Sequence, residues 1–247
     1  LPVMEKELSF GHEEAGALFL FLSIGVCITL LCSGFLSSRL THRGTIALSA
    51  LAAGVALLFI AFSSSLWEIR VGIFLIGLAA GLYMPSGVAT VTGLVKPGDW
   101  GKALAIHELA PNMGFVAAPL FSEALLGFYS WRGVLASVSG ISLCAGAIFA
   151  FFGKGGRFPG EAPEVTTFRE LFADISFWIM VILFSLAIGA SLGIYIMLPL
   201  YLVADWGMER TSANTLIAVS RVSGVGMAFL AGWLTDRLGP KRAIMFS

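Results

Sequence analysis

G-W-L-T-D-R-L-G-P-K-R, residues Gly232 to Arg242, and G-F-L-S-S-R-L-T-H-R-G, residues Gly34 to Gly44, are two versions of one stretch lying 198 positions apart. Each follows a long apolar run, and each run is preceded by a Leu-Pro pair: L-P-V-M-E-K-E-L-S-F-G-H-E-E from Leu1 and L-P-L-Y-L-V-A-D-W-G-M-E-R from Leu198. The Leu-Pro pairs are 197 apart, so a single one-residue gap aligns the copies. A period of this size, built on apolar runs, is the signature of a duplicated membrane unit.

Composition supports that reading. The chain is 57% apolar and 12% charged, with a mean hydropathy of +0.91, more apolar surface than one soluble core of this length buries. Windows free of Asp, Glu, Lys and Arg run from Ala15 to Ser38, Gly44 to Trp67, Val71 to Val95, Gly133 to Gly153 and Ile175 to Ala204. Each is long enough to cross a hydrocarbon core that needs roughly 20 helical residues. Two more spans carry interruptions: Ala103 to Gly127 holds His107, Glu108 and Glu123, and Thr211 to Thr235 holds Arg221. Lipid offers no partner to unpaired backbone groups and the windows lack barrel-strand alternation, so all seven spans are expected to be helices.

The six tryptophans, Trp67, Trp100, Trp131, Trp178, Trp206 and Trp233, fall at or near the ends of these spans, where interfacial rings are expected. Arg39, Arg43, Lys96, Lys102, Lys154, Arg157, Arg169, Arg237, Lys241 and Arg242 lie on one side of the map, and Lys6, Arg70, Arg132 and Arg210 on the other. The excess places the loops after Ser38, Val95, Gly153 and Thr235 in the cytoplasm and Leu1 outside, in a multi-pass protein of the plasma membrane, or of the inner membrane in a bacterium. A formal net charge of zero points to no nucleic-acid partner. Cys27, Cys32 and Cys144 fall within spans and read as packing residues.

Residues 154–174, K-G-G-R-F-P-G-E-A-P-E-V-T-T-F-R-E-L-F-A-D, have the glycine, proline and charge of a linker and end in a short amphipathic piece. They divide residues 1–153 from 175–247. The period leaves room for six spans per unit, so the chain reads as an internal fragment whose first unit lacks its opening span. Gly77 with Gly81, and Gly189 with Gly193, stand one turn apart and mark expected close helix contacts.

The loop residues resemble a family. Gly232, Asp236, Arg237, Gly239, Lys241 and Arg242 look like the loop signature between the second and third helices of a six-helix half in the major facilitator superfamily. The first copy keeps Gly34, Arg39 and Arg43, with Ser38 in place of the Asp and Thr41 in place of the second glycine. P-G-D-W-G-K-A-L-A from Pro97, S-W-R-G-V-L from Ser130 and F-R-E-L-F-A-D-I-S-F-W from Phe168 resemble the approaches to the fifth, sixth and seventh helices. The resemblance implies an all-α polytopic bundle with seven of twelve transmembrane helices present, from helix 2 to the start of helix 9, in which the loop latches the cytoplasmic side during alternating access. Gly114 to Glu123 and Arg70 depart from the proton-antiporter pattern of that family.

An arginine inside a span costs roughly 2.5 to 3.5 kcal/mol on insertion scales, so Arg221 calls for a partner, a wet cavity or an anionic solute. Glu108, Asn112, Pro119 and Glu123 share one helical face, and the family geometry would bring Arg221 toward it. His107 and Glu108 are candidates for proton handling. Tyr83, Ser86 and Thr90, with Ser185, Ser191 and Tyr195, are candidate cavity-lining residues.

Two functions fit. The first is alternating-access transport of a small solute, an organic anion and proton coupling being open choices, by a protein that is monomeric at full length. The second is a seven-helix receptor or sensor. Neither a phosphate-cradling glycine loop, nor metal-spaced His and Cys, nor a nucleophile with its base is present, so no enzyme, cofactor or metal is expected.

Overall fold

Helix ends here are set by local chemistry, because lipid-spanning helices need a polar device wherever the chain turns. In the computed structural model, which describes residues 2–8, 10–162 and 164–239, these devices separate eight helices. Within them the side chains at 2, 5, 6, 12, 165, 168, 190–197, 200, 210, 221–225, 228, 229, 231, 232, 236 and 238 lie outside the description. The helices are α1 Pro2–Leu8, α2 His12–Ala61, α3 Leu66–Leu94, α4 Trp100–Leu126, α5 Trp131–Phe152, α6 Val165–Ala173, α7 Ile175–Ala204 and α8 Arg210–Leu238. Ser65 accepts from the Glu68 amide while Glu68 returns to the amides of Ser64 and Ser65, a reciprocal cap that starts α3. Those amides hold the Glu68 carboxyl below its ordinary range. Ser130 caps α5 on the Gly133 amide, and Asp174 caps α7 on that of Ser176.

Helix α2, at 50 residues, would run roughly 75 Å, more than twice a bilayer core. It is two spans. Thr41 takes a non-helical conformation (φ 65°, ψ 162°) and divides it into limbs 12–40 and 42–61. Among the described residues α2, α3, α4 and α5 are long and apolar enough to cross a membrane and Ile175–Gly189 of α7 is a shorter apolar stretch, while Arg39 to Arg43 and Glu68 fall outside the charge-free windows. The chain forms an all-α, multi-pass membrane protein.

Residues up to 100 with 125–162 pack as one unit, and 101–124 with those after 162 as another. In the first unit α3 crosses the 12–40 limb at backbone contact. A Cβ on Gly77 would stand 2.2 Å from the Leu22 carbonyl oxygen, one on Gly25 2.4 Å from that of Phe74, and one on Gly81 2.7 Å from that of Val26. Small residues admit this approach where lipid removes the hydrophobic incentive to associate. The expected contact at Gly77 and Gly81 is there; among the described residues nothing lies within 4 Å of a Cβ on Gly189, and its expected partner Gly193 lies outside them.

Buried hydroxyls add directional bonds. Ser49 donates to the Ala79 carbonyl at 2.7 Å, Ser139 to Gly54 at 2.6 Å and Ser142 to Ala50 at 2.8 Å, joining the 42–61 limb to α3 and α5. At one end of the unit Leu18, Ile60, Ile69 and Trp131 form a core on which Val3, Met4 and Leu8 of α1 pack. Trp131 thus departs from the interfacial expectation: it is buried, and its indole donates to Glu7 at 2.5 Å. Arg132 binds the other Glu7 oxygen and the Ser63 carbonyl. These donors hold the Glu7 carboxyl below its ordinary range, the indole first. Nearby, Arg70 pairs with Glu14 at 3.5 Å, an ion pair anchoring α3 to the start of α2.

In the second unit Leu202, Ala213 and Ile217 join α7 to α8. The turn between them corresponds to the turn between α1 and α2. Helices α2 and α8 begin 198 residues apart at His12 and Arg210, while Pro2 and Pro199 are 197 apart, so the one-residue gap of the repeat falls in this turn. The indole of Trp178 donates to the Phe172 carbonyl at 3.0 Å, folding α6 back on the start of α7.

Candidate functional site

The first copy of the loop motif starts inside a helix and ends across a break. Ser37 and Ser38 turn their hydroxyls back on the carbonyls of Gly34, at 3.2 Å, and Phe35, at 2.8 Å. Ser38 therefore spends its polar group within its own helix, at the position where the second copy carries Asp236. Arg39 is exposed on the wall of an apolar groove of about 1010 Å³ between the limbs of α2, floored by Leu75, Leu78 and Leu82 of α3.

At Thr41 the backbone turns into the positive-φ region that side chains disfavour. The residue compensates in part: its hydroxyl accepts from the Gly44 amide at 3.4 Å, and its carbonyl accepts the Thr45 hydroxyl at 2.9 Å. It is the N-cap of the 42–61 limb. The corresponding position of the second copy, Gly239, has φ 79° and ψ 157° and ends α8. The glycine of the motif marks this conformation.

His42 and Arg43, just after the break, each make a contact far along the chain. The His42 ring lies 3.2 Å through Nδ1 from the Ser86 hydroxyl and meets the Phe158 ring edge to face, centroids 4.9 Å apart. Burial pushes its pKa below the ordinary value. Arg43 sends its guanidinium to the carbonyls of Ala150, at 2.9 Å, and Phe151, at 3.2 Å. These belong to the last turn of α5, where carbonyls lack helical partners and the macrodipole favours a cation.

The linker closes over the same end. The His42 amide donates to the Phe158 carbonyl at 3.2 Å, the Arg43 amide to that of Gly156 at 2.8 Å, and the Gly160 amide to that of Ser37 at 3.0 Å. Gly155 and Gly156 have φ of 82° and 63°. Ser86 and Thr90, expected from the sequence as cavity candidates, are buried against this assembly: Ser86 meets His42, and the Thr90 hydroxyl faces Gly156 with no hydrogen-bond partner among the described residues. Tyr83, on α3, is exposed.

On α4, His107 Nδ1 lies 3.5 Å from the Glu108 carboxylate, and the Asn112 amide donates to the Glu108 carbonyl one turn back at 2.7 Å. Glu123 sits partly buried toward the end of that helix. Within α8, Arg237 stacks over the Trp233 ring at 4.4 Å. The side chains of Arg221, Tyr195 and Asp236 lie outside the described residues, as do those at Gly232 and the residues Lys241 and Arg242. Among the described residues no three His, Cys, Asp or Glu side chains gather to hold a metal.

For His42, Phe158, Gly156 and Gly160 the sequence carries no site signal beyond the G-G and F-P-G steps of the linker.

The family model of the Major Facilitator Superfamily matches residues 1–247. The membrane sensor protein UhpC of Escherichia coli is 23% identical over 250 residues, covering 92% of this chain and 57% of that protein. A gallate transporter of Pseudomonas putida is 22% identical, with 98% and 62% covered, and the multidrug resistance protein MdtG of Serratia proteamaculans 23% identical, with 100% and 62% covered. The chain thus spans about three fifths of the length of these relatives. Spans, duplicated loop and matched length agree, and the chain belongs to the Major Facilitator Superfamily.

Proposed function

We propose that this chain is part of a secondary transporter that moves a small organic anion across the bilayer by alternating access. The carrying observation is family membership along the whole chain together with a duplicated loop at the corresponding position of each repeat. Residues 1–153 are the first half, 175–247 the start of the second, and the loops after Ser38, Val95, Gly153 and Thr235 face the cytoplasm. Gly34, Arg39 and Arg43, with Gly232, Asp236, Arg237, Gly239, Lys241 and Arg242, serve as the latch. Arg221 is the group that an anion would meet, since a cation in an apolar span is costly without one. The name of the gallate transporter, whose solute is a carboxylate, supports the same class. His107 and Glu108 are the candidate proton carriers, with Asn112, Glu123, Tyr83 and Tyr195 completing the solute path. The protein acts as a monomer in the bilayer.

Uptake of radiolabelled carboxylates into proteoliposomes tests this, with and without a pH gradient. Saturable uptake that falls at least tenfold in Arg221→Gln is expected; no uptake of any anion by folded protein overturns it. The second reading, a membrane sensor, is favoured by the likeness to UhpC. Saturable binding without net uptake would select it.

A further inference from the structure

We propose that residues 153–160 are a strap that binds one end of the first unit into a single rigid body. The strap ties together every neighbouring element. Its carbonyls at Phe158 and Gly156 accept the amides of His42 and Arg43, the first amides of the 42–61 limb, which no helical carbonyl can serve. Its Gly160 amide binds the 12–40 limb at Ser37. The Phe158 ring, still 41% exposed, lies over His42 on one side and α3 on the other, where a Cβ on Gly93 would come within 3.2 Å of it.

The glycines fit this seat and no larger residue does. A Cβ on Gly156 would stand 2.6 Å from the Thr90 hydroxyl and 3.0 Å from the Arg43 amide nitrogen, at a φ that side chains rarely adopt. On Gly160 it would stand 2.0 Å from the Ser37 hydroxyl. A mere tether needs none of this fit. The strap also belongs to the first unit, which takes in residues as far as 162. The part of the linker that belongs to the second unit therefore begins only after Ala162. This holds whichever solute is carried, and whether or not any is.

Limited trypsin digestion of the purified protein in detergent tests it without any transport assay. Arg157 lies within the strap and Arg169 in α6 beyond it, and both side chains are exposed. Cleavage needs a segment free to enter the protease, so a seated strap protects the bond after Arg157, and cleavage after Arg169, within α6, serves only to normalise one variant's digest against another's. Mass spectrometry should show the Arg157 to Arg169 cleavage ratio rising at least tenfold in Gly156→Val and in Phe158→Ala. The second variant removes a ring without straining the backbone, so it reports even where the first misfolds. An unchanged ratio in Phe158→Ala, or fast cleavage after Arg157 in the unaltered protein, overturns the strap.

Discussion

Thr41 and Gly239, 198 residues apart, hold the same backbone conformation, φ 65° and ψ 162° against φ 79° and ψ 157°. One is a threonine held in a region that is almost glycine's alone, at a cost of about 1–3 kcal/mol. Replacing Thr41 with glycine relieves that strain, loses a few tenths of a kcal/mol of capping and pays the extra freedom of glycine in the unfolded chain, about 0.4–1 kcal/mol. Strain wins: Thr41→Gly should stabilise the protein by about 1 kcal/mol, and Gly239→Val should destabilise it by about 1–3 kcal/mol. Thermal unfolding in detergent reads both, and a lower Tm for Thr41→Gly would refute the account.

Gly77 faces the Leu22 carbonyl across a gap with no room for a side chain. Gly77→Leu must push α3 off the 12–40 limb, and overpacking of this kind costs about 1–3 kcal/mol. Gly189→Leu, placed where no described residue lies within 4 Å, should leave Tm unchanged. Equal losses for the two variants would mean that helix propensity, not contact, sets the cost.

Arg43 closes the C-terminal end of α5 with two charge-assisted bonds. Hydrogen bonds to a charged group contribute about 1.5–3 kcal/mol each, less where water competes. Arg43→Met keeps the stem and loses the fork, so a loss of about 2 kcal/mol is expected. Hydrogen exchange should rise in the last turn of α5 and stay flat in its first.

His42 supplies a pH test. The charged groups on the elements around it are Arg39 and Arg43 on α2, Lys96 just after α3, and Lys154, Arg157 and Glu161 on the linker, chiefly cations. Burial lowers its pKa from the ordinary 6.5, so the folded protein binds fewer protons than the unfolded chain in the window below that value. Stability is then fully present above pH 6.5 and declines as pH falls through the folded pKa. Tm should be level between pH 7 and 8.5 and fall between 6.5 and 5, a range in which ordinary carboxylates remain ionised. His42→Gln should remove that part of the fall; a parallel decline in the variant would assign it to another group.

Hydropathy and charge spacing located the long apolar helices by themselves, because in lipid a run of apolar residues and its polar ends are decided locally, and the breaks came where Ser65, Ser130 and Asp174 supply caps. The repeat likewise disclosed the shared position of Thr41 and Gly239, though not the positive φ that explains the glycine. Only the tertiary structure decided that Ser86 and Thr90 are buried against His42 and Gly156, that Trp131 is a core residue, and that Gly156 and Phe158 sit on His42 and Arg43. Those contacts join residues more than 40, and in the strap more than 100, positions apart. Nothing in the periodicity of a helix reports which distant backbone lies against its open end. An unpaired amide at a helix start must find an acceptor, but only the packed chain says that the acceptor is the linker.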